Sequence, residues 1–126
     1  MLKTIISTVI VLLAPIQDAI FAIGFLVAVD LIMGITASYK TGVKLKSSRL
    51  KNTAVKMLIY NLLLISSFIA ETYLAPWIPF TKIALSFLAI VEISSMGENF
   101  QKITGMSFTK YLKDYLNEKL NSTKNK

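Results

Sequence analysis

The feature that most constrains this chain is where its charges are missing. Residues 4–39 carry only Asp18 and Asp30, and residues 53–97 carry only Lys56, Glu71, Lys82 and Glu92. Between these stretches stand Lys40, Lys44, Lys46, Arg49 and Lys51, with no acid among them. A helix of about 20 apolar residues crosses ~30 Å of hydrocarbon, and loops rich in Lys and Arg stay on the cytoplasmic side. The pattern predicts an all-α membrane protein with three transmembrane helices, at about 18–39, 53–74 and 79–97. An N-terminal and a C-terminal amphipathic helix flank them.

Composition supports one compact unit rather than several. The 126 residues are 54% hydrophobic, with a mean hydropathy of +0.60. The expected organisation is an N-terminal helix over 1–14, a membrane bundle over 15–97 and a basic tail over 98–126. The net charge of +7 is concentrated in one loop and one tail that flank apolar segments. That placement points to anionic lipid headgroups as the partner, and away from nucleic acid. With no cysteine and no histidine, the chain lacks thiolate and imidazole ligands and the usual neutral base of acid–base catalysis. No enzyme, metal or cofactor is expected.

The N-terminus imitates a secretory signal, with Lys3 ahead of the apolar Thr4–Ala14. A small-x-small cleavage site is not evident near Ala14, and Pro15 follows directly, so the segment reads as retained. Residues 2–13 place Leu2, Ile5, Ile6, Val9, Ile10 and Leu13 on one helical face. They are too few to span alone and read as an interfacial or tilted helix, with a fourth crossing as the lesser alternative. Pro15 and Asp18 suit the first turn of the next helix. Gly42 and the polar run through Asn52 read as a loop, and Ala75-Pro76-Trp77-Ile78-Pro79 as the next turn. Beyond Gly105, Ser107 reads as the N-cap of a helix with Phe108, Tyr111, Leu112, Tyr115, Leu116 and Leu120 on one face. Asn121–Lys126 reads as frayed.

Orientation follows from the cations near the crossing ends. Lys40, Lys44, Lys46, Arg49, Lys51 and Lys56 lie around the first loop, six more Lys follow residue 97, and the Ala75–Pro79 turn has none. Three crossings with the N-terminus outside and the C-terminus in the cytoplasm satisfy this distribution. The five basic residues Lys40, Lys44, Lys46, Arg49 and Lys51 are expected to face lipid headgroups.

Each crossing carries one polar stripe. Ala19, Ile23, Asp30, Gly34 and Ala37 share a face of the first; Lys56, Tyr60, Leu63, Ser67 and Glu71 share a face of the second; Thr81, Leu85, Leu88, Glu92, Met96 and Asn99 share a face of the third. A charge at the centre of a membrane helix costs about 2.5–3.5 kcal/mol on insertion scales, so these stripes need partners. They either face one another and hold a bundle together, or face water between subunits or in a pore. Depth along the helices predicts that Lys56 neutralises Glu92 more readily than Asp30; the alternative is that Lys56 snorkels to headgroups. Asp30, Gly34, Ala37, Lys56, Ser67, Glu92, Ser95 and Asn99 are the candidates for oligomer contacts or a pore lining.

Particular residues add a resemblance. Asp30-Leu-Ile-Met-Gly34-Ile35 with Ala37, the Ser47-Ser48 pair in the basic loop, Lys56 opening the next crossing, and Glu92-Ile-Ser-Ser-Met-Gly-Glu98-Asn99 with Gly105 resemble the toxin-secretion/phage-lysis holin family over roughly residues 22–118. The chain differs in having Leu50-Lys51-Asn52 where members often carry a glycine. The resemblance implies a small phage or prophage protein of the bacterial inner membrane. Such a protein forms homo-oligomers and opens lesions that release endolysin, or in some relatives a toxin, without necessarily touching it. The residues alone leave two other classes open: a small proton- or cation-coupled transporter using Asp30 or Glu92, and a membrane scaffold whose basic C-terminal helix recruits a partner.

Overall fold

The computed structural model describes residues 1–124; Asn125, Lys126 and the side chain of Phe108 lie outside the described residues. Among the described residues the chain is helical throughout, with no strand. Helix α1 covers Leu2–Leu13, α2 Gln17–Thr41, α3 Ser47–Ile69, α4 Phe80–Thr104 and α5 Phe108–Lys124. Three helical stretches are long and apolar enough to cross a membrane: Leu2–Thr41, Ser47–Leu74 and Phe80–Thr104.

The helix ends follow from local chemistry. Gly42 (φ 72°) and Gly105 (φ 74°) stop α2 and α4 in the left-handed conformation that a side chain disfavours. The Val43 N–H donates back to the Ser38 carbonyl, and the Gly105 N–H to that of Gln101. Between α3 and α4, Ala70–Leu74 widens into a π-type turn, closed by the Ala75 N–H on the Ala70 carbonyl at 2.9 Å. Pro76 and Pro79 then prevent the helix from continuing. Ser107 caps α5 as its sequence predicts, accepting the Lys110 N–H on Oγ at 3.2 Å.

Two boundaries differ from the sequence reading. Helix α3 begins at Ser47, so residues 47–52, expected in a loop, form its first turns and place Arg49 and Lys51 on a helix. The polar composition of that segment hid its helical spacing. Helix α5 runs through Lys124, so Asn121–Lys124 are ordered helix rather than a frayed end.

Pairings along the helices give their directions. Asp30 of α2 meets Asn99 of α4, and Lys40 of α2 meets Ile103 of α4, so α2 and α4 run parallel. Arg49 of α3 reaches Gly34 of α2, while Lys56 reaches back to Asp30, so α3 runs against them. The bundle has two layers. Ile23, Val27, Leu64, Ala84 and Leu88 make a small apolar core, with Met57, Tyr60 and Leu85 packed against it. Below it, toward Gly42, lies a polar layer. On the outside, Phe21, Phe25, Ile32, Leu58, Ile59, Leu62, Ile83, Phe87 and Ile90 stand exposed on all three helices. So large an apolar exterior suits lipid and not water.

Residues Leu2–Thr41 include 40 residues of nearly unbroken helix. At 1.5 Å per residue that is about 60 Å, twice the hydrocarbon thickness, so α1 and α2 cannot share one crossing. The break falls at Ala14–Ile16, where Pro15 stands and Ile16 adopts φ −106°, ψ 6°. Ile16 is buried in this turn, while α1 buries no residue.

Candidate functional site: a polar seam inside the bundle

The stripes of the three long helices meet. Lys56 Nζ lies 2.9 Å from Glu92 Oε2 and 3.3 Å from Asp30 Oδ2. Tyr60 donates its hydroxyl to Glu92 Oε1 at 2.8 Å, and Asn99 donates its amide to Asp30 Oδ1 at 3.1 Å. Each of the four carboxylate oxygens therefore accepts one hydrogen bond. Glu92 is fully buried, Asp30 is 12% exposed and Lys56 28% exposed. Burying ions this deeply is tolerable only when they are paired and their remaining lone pairs are satisfied, and this geometry meets that condition. Lys56 prefers Glu92 over Asp30, in the order expected from depth, but it bridges both rather than choosing one.

A second cluster closes the seam at the Gly42 end. Arg49 Nη1 donates to the Gly34 carbonyl at 2.8 Å and to Ser38 Oγ at 2.6 Å. Gly34 makes this possible by lacking a side chain, since a Cβ there would lie 2.5 Å from Arg49 Nη2 and 2.9 Å from Cζ. The glycine thus accommodates a guanidinium from α3. Arg49, expected among the lipid-facing basic residues, instead turns inward because α3 starts early enough to aim it at α2. Lys44, Lys46 and Lys51 are exposed, and Lys40 donates to the Ile103 carbonyl at the end of α4.

At the opposite end, Glu71 accepts the Thr81 backbone N–H on Oε2 at 2.8 Å. The first turn of a helix has N–H groups without helical partners and a partial positive charge, so a carboxylate from the π-type turn before it caps α4 in place of a local residue. Of the other candidates, Ala37 is buried, and Ser67 and Ser95 are half-buried without joining either cluster. The second stripe is corrected by one residue: Leu64 is fully buried and Leu63 is 39% exposed. The inward face of α3 runs Lys56, Tyr60, Leu64, Ser67, because the helix packs between two partners and not against one.

Tyr60, Ser38 and Arg49 also belong to the seam: the sequence reading put Tyr60 on the polar stripe without making it a site candidate, assigned Arg49 to the lipid-facing loop, and did not name Ser38. A signal existed for two of them. Arg49, Thr53, Lys56 and Tyr60 are spaced by four, three and four residues, which is one helical face once the helix begins at Ser47. Ser38 carried no such signal.

Chemically, the seam holds charge in place. Lys56 lies between the two carboxylates, where a bound cation would otherwise sit. A profile described as Bacteriophage holin family matches residues 5–121 of the chain. No curated protein and no solved structure matches significantly.

Proposed function

The chain belongs to the bacteriophage holin family, and from that premise we propose that it accumulates in the host's inner membrane, oligomerises and opens lesions that let endolysin reach the cell wall. The observation that carries the reading is the closed seam: three membrane-length helices each turn an ionisable residue inward, and Asp30, Lys56 and Glu92 are paired within one chain. Such a chain is harmless to a bilayer while single. In an assembly the same residues gain an alternative, because facing copies or water can replace the internal partners. Asp30, Gly34, Ala37, Lys56, Ser67, Glu92, Ser95 and Asn99 are the residues assigned to that rearrangement. The N-terminus lies outside and the C-terminus in the cytoplasm, with the exposed lysines on anionic headgroups.

Induced expression in a bacterial host, with and without a co-expressed endolysin, tests this reading. The expected result is a lag, then an abrupt loss of membrane potential, followed by lysis only when endolysin is present. A steady change in solute flux without depolarisation or lysis would refute it and favour a transporter.

A further inference from the structure

Two crevices flank the short Val43–Lys46 connection between α2 and α3. The first, of about 430 Å³, is lined by Lys44, Lys46, Arg49 and Lys56, with Ser48 and Asn52 adding hydrogen-bonding groups, and no carboxylate lines it. The second, of about 230 Å³, opens between the apolar side chains of Leu31, Ile35, Leu45 and Leu50. Leu45, Lys46 and Arg49 border both. A cationic space therefore adjoins a greasy one across a single piece of backbone.

The local sequence builds this arrangement. Val43-Lys44-Leu45-Lys46 alternates apolar and basic residues, and Lys46 is extended at φ −93°, ψ 136°. Val43 and Leu45 stand 62% and 53% exposed, although each is apolar. The first turn of α3 has neither a capping side chain nor an acid. Among the described residues, neither Lys44 nor Lys46 is in an ion pair. Arg49 and Lys56 are committed to Gly34, Ser38, Asp30 and Glu92, which leaves Lys44 and Lys46 as the exposed cations of the crevice.

We propose that the paired crevices bind one anionic phospholipid, its phosphate in the cationic crevice and part of an acyl chain in the apolar one. The proposal rests on the reading that this end of the bundle lies at a headgroup layer, and it replaces diffuse attraction to a charged surface with a discrete site.

The test uses the full-length protein purified in a non-ionic detergent and titrated with phosphatidylglycerol, phosphatidylcholine or inorganic phosphate, with bound lipid counted by native mass spectrometry. Expected are one phosphatidylglycerol per chain, little phosphatidylcholine, and no displacement by an equal concentration of inorganic phosphate. At about 1 kcal/mol per lysine near the surface, the double variant Lys44→Gln/Lys46→Gln should bind on the order of thirtyfold more weakly. Leu45→Asn, which leaves every cation in place, should also weaken retention, whereas Lys119→Gln/Lys124→Gln in α5 should not. Equal retention of both lipids, an unchanged Lys44/Lys46 variant, or displacement by free phosphate would overturn the lipid site. Because binding is read without reference to lysis, a chain that holds phosphatidylglycerol but never depolarises cells overturns the lesion reading alone.

Discussion

Replacing Lys56 by methionine removes the cation that buried Glu92 and partly buried Asp30 share. In the intact seam, one positive side chain faces two negative ones, and the hydroxyl of Tyr60 and amide of Asn99 satisfy the remaining oxygens. Lys56→Met leaves Glu92, fully buried, beside Asp30, 12% exposed, with no counter-charge. Breaking a buried pair by removing one partner costs about 3–5 kcal/mol. Asp30→Asn acts differently, since it leaves Lys56 and Glu92 matched one to one at 2.9 Å and keeps a polar group beside Asn99. Its cost should be about 1 kcal/mol. Glu92→Gln leaves Lys56 with Asp30 at the longer distance of 3.3 Å and should fall between, at about 1–2 kcal/mol. Unfolding in detergent, followed by circular dichroism over a denaturant titration, ranks the three. A double-mutant cycle should give stronger coupling of Lys56 to Glu92 than to Asp30. If Lys56→Met proved no more harmful than Asp30→Asn, or if the Lys56 and Glu92 effects simply added, the seam would not be held as argued.

The other expectations are narrower. Arg49→Gln should cost about 1.5–3 kcal/mol; Gly34→Ala should displace the movable guanidinium and cost less, because alanine regains about 0.5–1 kcal/mol over glycine inside a helix, and the two losses should not add, because both remove the same contact. Glu71→Ala should lower stability by uncapping α4, while Glu71→Gln, which keeps an acceptor oxygen, should recover most of the loss in the same unfolding assay. Leu64→Ala, at the centre of the apolar core, should fall at or below the low end of the about 2–5 kcal/mol seen in water-soluble cores. Lipid solvates the unfolded side chain as well as protein does, so only the packing loss remains. Reporters fused after Lys126 and within Pro76–Pro79 should mark opposite sides of the membrane; the same side for both would exclude three crossings.

Much of the fold was legible in the residues because a bilayer imposes a simple rule. Every backbone polar group must be satisfied within its own segment, so an apolar run of sufficient length becomes a helix whatever surrounds it. That rule located three crossings, and the turns at Gly42, Pro76–Pro79 and Gly105 followed from backbone chemistry that needs no tertiary information. The inward stripes of α2 and α4 were equally visible, since Ile23, Gly34, Ala37, Leu88, Glu92 and Asn99 are all buried. Periodicity alone fixes which residues of one helix share a face.

What periodicity does not fix is which face meets which neighbour, or at what height. The start of α3 at Ser47 was obscured because a helix end in polar surroundings has no apolar pattern to announce it. That shift turned Arg49 from a surface cation into the residue that fills the space left by Gly34. Likewise the choice of Leu64 over Leu63, the cap that Glu71 gives to α4, and the bridging of two carboxylates by Lys56 depend on the relative rotation and depth of three rods. The sequence by itself determined the rods, their order and their polar faces, because these are properties of single segments in lipid. The pairing of Asp30, Lys56, Glu92 and Asn99 was decided only in the bundle, because a contact between helices is set by their mutual packing, and no single segment contains that information.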